Sequence, residues 1–179
     1  MELHQIQITY QMEEDRLLLR ASFKADGGAL QEIRAWLTRR LVKSLWPGIV
    51  KAMETQVMLN QPQAAHARAE IVSMGHQASV SRIREAGGFN APFAAVAKSY
   101  PLGETPVLVT AAHFDVVASQ PLRIHFTPKQ GTGFEIALRS PLLHGFCSLL
   151  QEAVRLAKWD IALLLPGIVD TESASRVLN

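Results

Sequence analysis

The chain is poor in the features that most readily betray a function. It holds a single cysteine, Cys147, so no disulfide can close within it. No apolar run approaches the roughly 20 residues that a membrane-crossing helix requires. The longest candidate, 161–169, is interrupted by Pro166 and Gly167. Lys and Arg number 18 against 16 for Asp and Glu, so net charge alone demands no polyanionic partner. The N-terminal run MELHQIQITYQMEEDR lacks the basic start and apolar core of a secretion signal, and a cytoplasmic location without a membrane span is expected. The glycines of KQGTGFE are not followed by the Lys-Ser or Lys-Thr of a phosphate loop and lie between strands, which reads as a hairpin turn.

What is present is the composition of a globular protein, 48% hydrophobic and 19% charged over 179 residues. One compact domain over 1–179 is expected. Its clearest stretch is 34–54, RAWLTRRLVKSLWPGIVKAME. On a helical wheel starting at Leu37, the residues Leu37, Leu41, Val42, Leu45, Trp46, Ile49, Ala52 and Met53 share one half, and Arg39, Arg40, Lys43, Ser44, Lys51 and Glu54 share the other. Thr38 stands where an N-cap belongs. Pro47 falls on the polar side, and a kink is expected there. Three alternating segments precede this helix: 3–10, 16–24 and a third carrying Ile33, Ala35 and Leu37 inward.

The same grammar returns after residue 106. Strand-like segments at 107–117, around Leu122, Ile124 and Phe126, and around Phe134, Ile136 and Leu138 lead into a helix expected to be capped by Ser140. Its apolar face includes Leu142, Leu143, Phe146, Leu149, Leu150, Ala153 and Val154, with His144 on the wet side and Cys147 at the apolar margin. Laying Ile33 over Phe134 matches apolar positions through both helices. The fold expected is therefore α+β: a duplicated unit of three antiparallel strands followed by an amphipathic helix, at about 3–54 and 107–158, joined by a helical connector over about 55–105. Within the connector a weak helix is read from the stripe Ala67, Ile71, Met74 and Ala78, and the aromatic-rich run 89–106 is read as pinned rather than free. The tail offers a short apolar run, 161–165, as a strand or docked extension, followed by a polar end expected to fray. This order of elements, three strands and a helix given twice, resembles the general plan of the Whirly and PUR-type proteins. That resemblance implies a curved sheet open to nucleic acid and transfers no residue role.

Candidate chemistry is sparse. Cys147 follows His144 by three residues, the spacing of a nucleophile and its base on one helix, but no third group completes a catalytic set and a packed thiol is the plainer reading. His113 and Asp115 share one strand face, yet two ligands do not close a metal site. No catalytic residue, cofactor or metal is assigned. The strand faces carry more. If the apolar sides meet the helices, the opposite sides present Arg16, Arg20, Lys24, Arg34 and Trp36 in the first unit and Arg123, His125, Lys129 and Arg139 in the second, with Glu32 and Glu135 as acidic exceptions. Cations that displace counterions, together with a ring on which a base can stack, suit a nucleic acid. The expectation is a non-catalytic nucleic-acid-binding protein; the alternative is a protein-interaction or assembly module, such as a homodimer, using apolar surface that two small units cannot bury.

Overall fold

The structure, a computed structural model, describes residues 2–25, 27–89, 91–93 and 99–166. The polar end of the tail lies outside the described residues. Strands β1 (Glu2–Gln11), β2 (Arg16–Lys24) and β3 (Leu30–Leu37) pair antiparallel in sequence order. Their alternation works as read: Leu17, Leu19, Ala21 and Phe23 are buried, as are Ile33, Ala35 and Leu37. Helix α1 (Arg39–Asn60), a 3₁₀ turn (Pro62–Ala67) and helix α2 (Arg68–Glu85) follow. Strands β4 (Val107–Asp115), β5 (Leu122–Pro128) and β6 (Phe134–Leu138) lead into α3 (Ser140–Ala157).

All six strands belong to one sheet in the order β1-β2-β3-β4-β5-β6, so the chain is mixed α+β, with a six-strand sheet and three helices among the described residues. The two halves join through β3 and β4, which run parallel and pair only at Ala35 with Val107 and Trp36 with Leu108. A parallel neighbour cannot be reached by a hairpin; α1, α2 and the connector form the crossover. The connector already follows β3 before β4 begins, since Ser99 bridges Gln31 in parallel and accepts a hydrogen bond from Glu32 N at 3.0 Å.

Thr38 caps α1 as expected, its Oγ1 accepting from Leu41 N at 3.2 Å. The helix buries seven of the eight apolar residues read from the wheel, the eighth, Leu37, being buried as the last residue of β3, and it continues through Pro47 to Asn60. Two expectations need correction. Arg139 rather than Ser140 occupies the N-cap of α3, without a side-chain cap bond; Ser140 is already helical. In α2 the buried residues are Val72, Ser73 and His76, whereas Met74 is 69% exposed. The stripe is rotated because polar residues face the interior there, and an apolar wheel is blind to them.

The helices meet the opposite halves of the sheet: α3 packs on β1, and α1 packs on β4. Trp159, Leu163 and Leu165 close the core as a docked extension without regular structure. The Trp46 indole donates to Leu164 O at 2.8 Å, and the Trp159 indole donates to Asp15 Oδ1 at 2.9 Å, tying the extension to α1 and to the β1–β2 turn.

The α1–β4 contact is close enough to require a glycine, since a Cβ at Gly48 would run into the Phe114 ring. A Gly48→Ala change gains about 1 kcal/mol of helix propensity but should lose about 1–3 kcal/mol to overpacking. Urea denaturation should show net destabilisation in Gly48→Ala and recovery when Phe114→Leu is added. A stabilised single variant would contradict this packing.

Candidate functional site

On the outer face of β1–β3, register places Arg20 beside Arg34 and Ser22 beside Glu32. Glu32 was expected to face outward with the arginines, and by register it does. Its side chain is nevertheless wholly buried, because the connector crosses above it. Arg20 grips the carboxylate with two bonds, Nε to Oε1 at 2.7 Å and Nη2 to Oε2 at 3.1 Å, and Arg34 Nε donates to Oε1 at 2.8 Å. Phe93 stacks on the Arg20 guanidinium at 4.1 Å, and Tyr100 stacks on that of Arg34 at 4.6 Å. Arg34 also donates to the Tyr100 hydroxyl at 3.1 Å. Burial alone would raise the Glu32 pKa, but the hydrogen bonds and charges of the two guanidiniums hold it below the usual carboxylate value. Two of the cations assigned to nucleic acid are thus engaged with a buried acid beneath two aromatic rings.

Beyond this clamp the face remains open. Leu18 pairs with Trp36, and Trp36 pairs with Leu108, so the three form a row across β2, β3 and β4. Leu18 and Trp36 are half-buried, and Leu108 is 40% exposed. Cations surround the row. Among the described residues Arg16 has one ion-pair partner, Glu14, at 3.9 Å. Lys129 lines a shallow cleft with Leu108, and Arg40 lines another with Leu108 and Thr110. Arg40 escaped the strand-face reading because it belongs to α1 and reaches the sheet only through the fold. Lys24 is exposed, without an ion pair among the described residues, at the far end of β2.

The outer face of β4–β6 has a different character. His125 sits between two carboxylates, Nε2 at 2.8 Å from Asp115 and Nδ1 at 3.3 Å from Glu135. Arg123 approaches Glu135 at 3.8 Å. His113 stands opposite His125. Arg123 and His125 thus each have a carboxylate as a near neighbour. Arg139 lies away from this face, at the mouth of a cavity beside α3.

The imagined Cys147–His144 couple does not form a reactive site. The Cys147 thiol is buried in the core, and burial pushes its pKa up to about 12, so no thiolate is available. His144 is not on a wet face but only 5% exposed, because α2 covers that side of α3. It meets buried His76 edge-on at a ring separation of 5.5 Å, and Nδ1 of each ring has no hydrogen-bond partner among the described residues. Spacing along one helix could not reveal this pair, whose members lie on α2 and α3. Among the described residues no three His, Cys, Asp or Glu are placed to share a metal ion, and no helix there is long and apolar enough to cross a membrane. Comparison with protein-family models, curated proteins and solved structures found no match to this chain.

The imidazole pair has a consequence for pH. Burial first, and then the neighbouring His76, pull the His144 pKa down from 6.5 to about 4; burial also lowers that of His76. Between these values the unfolded chain binds a proton that the folded chain refuses. Stability is therefore complete above about pH 6.5 and falls as pH drops toward 4. Urea denaturation should show a loss of about 3 kcal/mol across that window, reduced in His144→Gln relative to its own value at pH 7. An equal acid loss in both proteins would contradict the assignment.

Proposed function

We propose that the protein is a non-catalytic nucleic-acid-binding protein whose contact surface is the Leu18–Trp36–Leu108 row and its flanking cations. The observation that carries this reading is the position of Trp36, centred on the open part of the sheet with an aliphatic neighbour on each adjoining strand. A ring held in a sheet gives an unpaired base a stacking platform without choosing among bases. Arg16, Arg40 and Lys129 stand where a backbone crossing the row meets positive charge. The Arg20–Glu32–Arg34 clamp contributes two guanidiniums and one carboxylate, a residual positive charge beside the row.

The finer architecture in this proposal is a duplicated unit of three strands and a helix whose two copies exchange helices. The contacts of α1 with β4 and of α3 with β1 support it, as does the central seam between β3 and β4. Such an exchange turns two small units into one body and leaves the outer sheet face for a ligand.

The second reading, an assembly module, is favoured by the aliphatic character of Leu18 and Leu108, which also suits a protein partner or a second copy of the chain. Fluorescence anisotropy with single-stranded DNA and RNA at low salt separates the two. Saturable binding that weakens as salt rises is expected, with Trp36→Ala reducing affinity about tenfold or more. Lys129→Gln should lower the salt slope by about one. No measurable affinity for either strand type would reject the nucleic-acid reading, and a concentration-dependent dimer dissolved by Trp36→Ala would place the second in its stead.

A further inference from the structure

The cavity beside α3 is built from parts that the sheet face does not use. It has a volume of about 610 Å³ and lies between the C-terminal half of α1, α2, the β4–β5 turn and the start of α3. Met53, Val57, Ile71 and Val72 form an apolar side. The rim is braced by two amide side chains: Gln56 Nε2 donates to Gln120 O at 2.7 Å, and Asn60 Oδ1 accepts from Ser119 N at 2.7 Å. Those amides are thereby occupied, and three other polar features on the same wall are not.

The first is Arg139, exposed, whose guanidinium has no ion pair or hydrogen bond among the described residues. The second is the first turn of the 18-residue α3, which has no side-chain cap and no acidic residue to meet its free N–H groups. The third is His144, 95% removed from solvent, which lines the cavity with its Nε2 beside Gly75 and whose ring has no hydrogen-bond partner among the described residues. Gly75, also on the wall, admits that ring: a Cβ there would stand 3.3 Å from His144 Nε2. A guanidinium and a helix N-terminus both attract negative charge. An orphaned imidazole nitrogen gains from a ligand group that pairs with it.

We propose that this cavity is a binding site for a small amphiphilic anion, its charged group held by Arg139 and the first turn of α3 near His144, its apolar body lying against Met53, Val57, Ile71 and Val72. The anion is a carboxylate or a phosphate monoester, since both suit a guanidinium beside free N–H groups. His144 stays uncharged near neutral pH because burial lowers its pKa to about 4, and it therefore serves as a hydrogen-bonding group rather than as a cation.

Isothermal titration of the full chain with hexanoate and with phenyl phosphate, at ionic strength matched by sodium chloride, tests the site. Saturable binding of at least one probe is expected, and the stronger of the two identifies the charged group. Arg139→Gln should weaken it at least tenfold, whereas Arg84→Gln, on the exposed end of α2, and Trp36→Ala should leave it unchanged. The Trp36 control separates this site from the sheet face. In a nitrogen-15 spectrum of the histidine rings, His144 should shift as the probe saturates. Absence of saturable binding by either probe, binding indifferent to Arg139→Gln, or a His144 ring that does not respond would each overturn the proposal.

Discussion

The outer face of the sheet is governed by one buried carboxylate. Glu32 lies among strands whose other side is the core, with no exposure of its own. A charge in that position survives only if it is paired and its lone pairs are satisfied. Arg20 and Arg34 do both, and each guanidinium in turn carries a ring from the connector, Phe93 or Tyr100. The pairing therefore settles two matters at once. It anchors the connector along β3, which guides the chain into its parallel seam with β4. It also commits two half-buried cations to Glu32 and leaves the rest of the face centred on Trp36.

That division explains which parts of the molecule were legible in the sequence. Alternation along 16–24 and helical spacing along 34–54 report burial against an apolar core, and the buried apolar residues of β2 and α1 are the ones the pattern selects, whereas Ser22, on the opposite side of β2, is buried as well. The location of Thr38 was equally plain, since capping is local chemistry. Pairing across the sheet is not local. Nothing in the spacing of Arg20, Glu32 and Arg34 says that a segment some 60 residues downstream will cover them, so an outward triad and a buried one read alike. Likewise, Arg123 and His125 each have a carboxylate as a near neighbour, on a patch that looked basic when each strand was read alone.

The errors in the helices share a cause. His76 and His144 are polar by any wheel, but α2 and α3 bury them against each other. Met74 is apolar by any wheel and faces solvent. The interior between these helices is partly polar, adjoining a cavity whose wall includes His144 and Gly75. A packed core is recognised by its hydrophobic period, whereas a polar interior has no period to recognise. The sheet face and the cavity are thus two separate places where the chain departs from simple burial, one because a carboxylate is enclosed and the other because imidazoles are.

On the proposed reading, the clamp leaves the Leu18–Trp36–Leu108 row as the contact surface. Nuclear magnetic resonance of the isotopically labelled chain, titrated with a short single-stranded oligonucleotide, addresses it most directly. Progressive shifts of the Trp36 indole N–H and of the Leu18 and Leu108 methyl groups are expected, with the Arg20 and Arg34 Nε–H signals retaining their positions on Glu32. Shifts confined to the β5–β6 face, or release of the two arginines from Glu32 with the Trp36 signal unmoved, would contradict it.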